Sequence, residues 1–210
     1  MKRKTPSPTL LFEIEERKLA GGPVAGVDEA GRGPWAGPVV AAAVILPAKG
    51  HPEGLADSKV LTADRRELLF GEIMHHCEVG IGIANVARID RDNILNATLW
   101  AMRSAVSKLP HQPACALVDG NRPPRLHCKV RTIIKGDALS LSIAAASIIA
   151  KVTRDRIMKN LARRWPGYGF EQHKGYGTAQ HQSAIAELGV TPHHRRSFKP
   201  IKAALGEPFD

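Results

Sequence analysis

Apolar and polar positions along this chain repeat with two different periods, and each change of period marks an element. The stretch Leu10 to Leu19 reads as a short helix that stops at Gly21-Gly22. From Pro23 the pattern is strand-like: Val24-Ala25-Gly26-Val27 leads into a glycine-rich turn at 31–33, and the almost wholly apolar Val39 to Leu46 ends at Pro47. Asp57-Ser58-Lys59 falls in a loop, and Thr62 is placed to cap a helix reaching His75. Glu78 to Val86 alternates with glycines and predicts a third strand. Ile94, Leu95, Thr98, Leu99, Met102 and Val106 share one face of a helix from Asp92 to Leu109, closed by Pro110. Two short apolar runs, Ala114 to Val118 and Val130 to Ile134, predict further strands that end at Asp119-Gly120 and Lys135-Gly136-Asp137. Asp137 is read as the cap of a helix from Ala138 to Arg164, before Pro166-Gly167, and a last helix covers Ala179 to Leu188.

Three strands followed by strands alternating with helices imply an α/β chain with a mixed sheet packed by helices. The reading divides it into a basic N-terminal arm with a short helix (1–22), a main domain (23–165) and a basic, helical C-terminal extension (166–210). With 210 residues, 43% of them apolar, the chain can bury a sizeable core, which excludes a disordered protein. The most apolar run, Leu139 to Val152, is shorter than the roughly 20 residues a membrane span needs and carries three serines and a lysine. Glu13, Glu15 and Glu16 interrupt any signal-peptide pattern. Cys77, Cys115 and Cys128 are odd in number and form no C-x-x-C pair, which disfavours a disulfide framework and a thiolate zinc site. A soluble, cytoplasmic monomer is expected, with no membrane partner.

Charge changes the picture. The net formal charge is +10, and between Lys151 and Lys202 there are 11 Lys/Arg against only Asp155, Glu171 and Glu187. Such a stretch suits a polyanion, nucleic acid above all, although a solvated basic face would look the same.

Inside this basic protein stand carboxylates in a pattern. Asp28-Glu29, Asp119 and Asp137 each follow an apolar strand and adjoin a glycine-containing turn. Singly, each is more often a turn residue or helix cap. Together, strand ends of one sheet can converge on one crevice. Clustered carboxylates raise one another's pKa, so such a group signals a bound cation, and oxygen-only ligands suit Mg²⁺ or Mn²⁺ rather than zinc. Two such ions about 3.5–4 Å apart would serve phosphodiester displacement.

Gly31-Arg32-Gly33-Pro34-Trp35-Ala36 superficially matches a dinucleotide fingerprint, but a strand follows instead of a helix. The glycines better suit close approach of the backbone to a sugar-phosphate chain, with Arg32 as a phosphate partner. The adjacent pairs His75-His76 and His193-His194, and His173, read as structural or surface residues, with His181 the strongest exception. Cys115, inside an apolar strand, reads as inert core.

Four segments together resemble the ribonuclease HII (type 2 ribonuclease H) family: Gly26 to Pro34; Asp57-Ser58-Lys59 with Leu61-Thr62; Val118-Asp119-Gly120-Asn121; and Ile134 to Asp137 with Ser147 to Asp155. His173 to Thr178 with His181, and His194 to Phe198, are similar to it as well. The resemblance implies a ribonuclease H-like fold, a central five-stranded mixed sheet flanked by helices with a C-terminal helical extension. It places catalysis and Mg²⁺ or Mn²⁺ on Asp28, Glu29, Asp119 and Asp137. It also implies cleavage of RNA in RNA–DNA hybrids and 5′ to single ribonucleotides in duplex DNA, leaving a 5′-phosphate and a 3′-hydroxyl. By the same resemblance Gly31, Arg32 and Gly33, assisted by Tyr176, sense the ribonucleotide's 2′-hydroxyl, the one group that separates RNA from DNA at a single nucleotide. Lys59, Arg195 and Arg196 are expected on the substrate. A non-catalytic RNA- or hybrid-binding protein is the rival, favoured by basicity alone.

Overall fold

Strand pairing sets the architecture. In the computed structural model, which describes residues 7–208, β1 (Val24–Ala30) runs antiparallel to β2 (Val39–Ile45), and β2 antiparallel to β3 (Glu78–Ala84). On its other side β1 is parallel to β4 (Cys115–Asp119), and β4 to β5 (Lys129–Ile133), giving the order β3-β2-β1-β4-β5. This is the expected five-stranded mixed sheet. The basic arm Met1 to Pro6 lies outside the described residues.

Both faces of the sheet are covered, so the central strands are apolar on both sides. On one face α3 (Val86–Ser107) lays Ala97, Ala101 and Ala105 against Ala25, Val27, Ala41 and Ala43. Gly80 and Gly82 let it lie close: a Cβ at either would collide with the carbonyls of Ala105 and Ala101. On the other face α2 (Ala63–His76) and α4 (Leu141–Arg164) pack on Ala42 and Val44. Gly26 brings α4 onto β1, because a Cβ there would meet the Ser142–Ile143 backbone. α1 (Leu11–Ala20) is docked through buried Glu13, whose Oε1 accepts from the Ser140 and Ser142 hydroxyls at 2.6 and 2.7 Å.

The C-terminal part holds α5 (Phe170–His173), α6 (Ala179–Leu188) and α7 (Lys199–Ala204). Tyr168, Phe170 and Ala184 pack on Met158 and Leu161 of α4 and on Ala36. Among the described residues no helix is long and apolar enough to cross a membrane.

Two boundaries differ from expectation. Ser140, not Asp137, caps α4, its hydroxyl accepting from Ile143 N–H at 3.3 Å; Asp137 sits in a 3₁₀ turn, Gly136–Ala138, before it. The helix expected from Asp92 begins at Val86, capped by Asn85, and is broken at Asn93, where φ is 64° and ψ 167°. Asn93 caps the second half, accepting from Asn96 N–H at 3.0 Å. A polar first segment hid this helix from a search for apolar periodicity.

Candidate active site

Parallel pairing of β1 with β4 builds the site. Val27 is opposite Val118, so the next residues, Asp28 and Asp119, emerge side by side at the same end of the sheet. Alternation along β1 sends Asp28 to the α4 face with Gly26, and Glu29 to the α3 face with Val27. Asp137 arrives four residues beyond the end of β5. Gly136 makes this approach possible: its N–H donates to Asp119 Oδ1 at 2.7 Å, and a Cβ there would press on Ile133, Ile143 and Asp119. The crevice, about 300 Å³, has Asp28, Glu29 and Asp119 in its wall, with Gly31 to Gly33, Lys59 and Tyr176 around them.

The electrostatics are those of crowded acids. Burial, then the charges of Glu29 and Asp119, push the Asp28 carboxyl well above the ordinary carboxylate range. Burial also raises Glu29, opposed by Arg32 at 3.5 Å, and raises Asp119, opposed by the Gly136 N–H. Lys59 Nζ lies 3.1 Å from Asp137 Oδ2; although burial lowers its pKa, Asp137, Asp57 and Asp28 outweigh that and hold it up. The Lys59 loop is pinned, since Ser58 N–H donates to Ser147 Oγ of α4 at 3.2 Å and Arg66 donates to Ser58 O at 2.8 Å.

These donors fit a hard cation. A carboxyl whose pKa is raised by burial and by two neighbouring acids ionises more readily when positive charge arrives, and every ligating atom here is oxygen. Among the described residues no three His, Cys, Asp or Glu side chains form a finished ion cage. Asp28 Oδ1 instead accepts from Glu29 N–H at 2.7 Å, and Asp119 and Asp137 are engaged by Gly136 and Lys59.

Beside the acids, the segment 31–38 is carried on two buried arginines. Arg195, expected on the substrate, is fully buried. It donates to the carbonyls of Gly31 at 2.5 Å, Arg32 at 2.8 Å and Gly37 at 3.0 Å, so its guanidinium is spent on backbone and cannot reach a phosphate. Burial and the neighbouring Arg154 charge lower its pKa to about 9. Arg154, which sequence reading did not single out, donates to Pro38, Ala36 and Lys174 carbonyls at 2.9, 3.1 and 3.1 Å. Arg196 is exposed, and its backbone N–H donates to Asp90 at 3.1 Å, away from the crevice lining.

Tyr176 is 48% exposed, and its ring edge stands 3.5 Å from where a Gly33 Cβ would lie. The two loops are joined by Trp35 N–H donating to Gly175 O at 2.8 Å. Behind them is a histidine relay absent from the sequence reading. Thr191 N–H donates to His194 Nδ1 at 2.9 Å, His194 and His181 meet through their Nε2 atoms at 3.0 Å, and His181 Nδ1 lies 3.0 Å from Tyr176 O. His181 is thus a buried prop of the Tyr176 loop. Cys115 is core, its thiol pushed up to about 12 by burial and then by Glu16.

A family model for ribonuclease HII matches residues 25–201. The chain belongs to the ribonuclease HII family. It is a metal-dependent endoribonuclease that cleaves RNA in RNA–DNA hybrids, which removes the non-catalytic binding module as a rival. The ribonuclease HII of Azorhizobium caulinodans is 59% identical over 196 residues, 92% of this chain and 76% of that one. The crystal structure of the ribonuclease H2 of Pyrococcus horikoshii matches with a TM-score of 0.74 at 28% identity, covering 87% of this chain and 96% of that one. Bst ribonuclease HIII, solved with Mn²⁺, shares the fold at 21% identity and a TM-score of 0.73, covering 88% and 69%.

Proposed function

We propose that this crevice hydrolyses the phosphodiester bond 5′ to a ribonucleotide, in RNA–DNA hybrids and at single ribonucleotides embedded in duplex DNA, leaving a 5′-phosphate and a 3′-hydroxyl. The observation that carries this reading is the meeting of strand-end carboxylates with the Gly31 to Gly33 turn and Tyr176 around one crevice. Asp28, Glu29, Asp119 and Asp137 would hold Mg²⁺ or Mn²⁺; bound there, such ions stabilise charge on the attacking and leaving oxygens. The Mn²⁺ of the ribonuclease HIII structure supports that choice of ions.

The chain's own residues supply position and selectivity. Backbone at Gly31 to Gly33, bare of side chains at both glycines, approaches the ribose closely enough to read a 2′-hydroxyl. Tyr176 stacks against the sugar or base beside it. Lys59, on its pinned loop, neutralises phosphate charge next to Asp137, while Arg32 does so next to Glu29. Arg195 acts from below as a positioning residue for the glycine turn. The expected setting is cytoplasmic.

Asp119→Asn tests the assignment. Asn keeps the shape and loses the charge, so cleavage should fall by at least a hundredfold with an unchanged circular dichroism spectrum. Burial already disfavours that charge, so the melting temperature without metal should stay level or rise. Near wild-type turnover would remove Asp119 from the catalytic set.

A further inference from the structure

The crevice does not end at its carboxylates. Glu29, Arg32 and Asp119 also form the near wall of a groove that runs over Leu99 of α3, beneath Gly120 to Arg122. Leu99 then leads into a second cavity of about 430 Å³, lined by Arg88, Trp100, Arg103 and Arg125. Arg103, Arg122 and Arg125 are exposed, and none takes part in an ion pair among the described residues. Arg88 sits over the Trp100 ring, its Cζ 3.9 Å from the centroid, and is held by Asp92 at 2.8 Å. Asp92 also takes Arg91, and Asp90 is committed to Ser197 and the Arg196 backbone, so neither carboxylate pairs with Arg103, Arg122 or Arg125.

We propose that this groove is a second binding site for the substrate, taking the sugar-phosphate backbone of duplex flanking the cleaved nucleotide on the α3 side. The reading rests on the catalytic assignment of the crevice and extends it. Continuity is the first argument: the groove shares three residues with the carboxylate crevice, so a strand whose phosphate lies at Asp119 continues over Arg122 towards Arg103 and Arg125. Chemistry is the second. Arg103, Arg122 and Arg125, guanidinium groups without carboxylate partners, present planar forks that match phosphate oxygens, and beside them Arg88 is held in place by Trp100 and Asp92. Exposed, unpaired charges contribute little to folding stability, so their gathering beside a phosphodiester-cleaving crevice is explained by ligand rather than by fold. The contact would be to backbone, hence indifferent to base sequence and strongly dependent on salt.

The test is binding of the full-length protein, without divalent metal, to labelled duplexes lengthened stepwise on one side or the other of a single ribonucleotide, and to all-DNA duplexes of the same lengths. Wild-type affinity should climb with length on one side only. Arg103→Glu with Arg125→Glu should flatten that climb, cost tenfold or more in affinity for both kinds of duplex, and lower the slope of log affinity against log salt by about 2. Arg103→Lys with Arg125→Lys should restore most of the slope. The reversal variant should keep the wild-type melting temperature and, at saturating substrate with metal, kcat within about twofold. An unchanged length dependence and salt slope in the reversal variant overturns the proposal. So does an effect confined to kcat, or a groove that captures protein and not duplex. Because the all-DNA arm needs no cleavage, failure of the groove is separable from failure of the catalytic reading, which would show as a wild-type protein that binds but does not cut.

Discussion

Acidification should unlatch the Tyr176 loop, and the relay behind it gives the size of the effect. Thr191 N–H makes His194 Nδ1 an acceptor, so the His194 proton sits on Nε2 and points at His181 Nε2; His181 must then carry its proton on Nδ1 and donate it to Tyr176 O. Neither ring has a free nitrogen. A second proton would face the Thr191 N–H or the His194 N–H, with His173 stacked on His181 at 4.5 Å and His193 one residue from His194. Burial, with the neighbouring histidines, lowers both His181 and His194 to about 4. Because the folded values lie below the ordinary 6.5, the stability they confer is complete above about pH 7 and is lost as pH falls through 6.5 towards 4. By linkage, lowering the pH from 7 to 5 removes about 1.8 kcal/mol per ring, or about 3–4 kcal/mol for both. That is a large part of the roughly 5–15 kcal/mol of a typical domain. Urea unfolding at pH 7 and pH 5 measures it. Histidine nitrogen NMR should find His181 protonated on Nδ1 and His194 on Nε2. Titration of either ring near 6.5, or the opposite tautomers, would falsify the relay.

Two substitutions probe the site's support. Tyr176→Ala should lower cleavage at a single embedded ribonucleotide by about tenfold, the equivalent of a stacking contact of about 1–3 kcal/mol, while the melting temperature moves little because the ring is half exposed; a large loss of stability with an unchanged rate would make the ring structural. Arg195→Met strands the carbonyls of Gly31, Arg32 and Gly37 and should cost about 3–5 kcal/mol in urea unfolding. A loss under about 1 kcal/mol would show that the turn holds without it.

Arg195 and Arg196 show where legibility ended. A count of charges treats adjacent arginines alike, yet one is entombed under three carbonyls and the other is in solvent. Only tertiary packing, which brings the turn at 31–37 over the chain at 195, decides that. Arg154 was hidden for the same reason, lying on the buried side of α4 some 116 residues from the Pro38 carbonyl it serves. The relay joins residues 176, 181, 191 and 194 through one ring-to-ring contact anchored at each end on a backbone group, and those backbone anchors leave no trace in side-chain pattern. By contrast, strands β1, β2, β4 and β5 were legible because their apolar runs are bounded by glycine or proline. The carboxylates were legible because each closes such a run. Asp137 was misplaced as a cap because Ser140, three residues on, competes for the same role and wins by packing against Glu13.

The catalytic role of the crevice is measured by incubating the protein with duplex DNA carrying one ribonucleotide, with and without Mg²⁺ or Mn²⁺, and mapping the cut. A metal-dependent single cut on the 5′ side of the ribonucleotide is expected, leaving a 5′-phosphate, with no cut in the same duplex lacking the ribonucleotide. Cleavage on the 3′ side, cleavage that survives a chelator, or equal cutting of all-DNA duplex would contradict it.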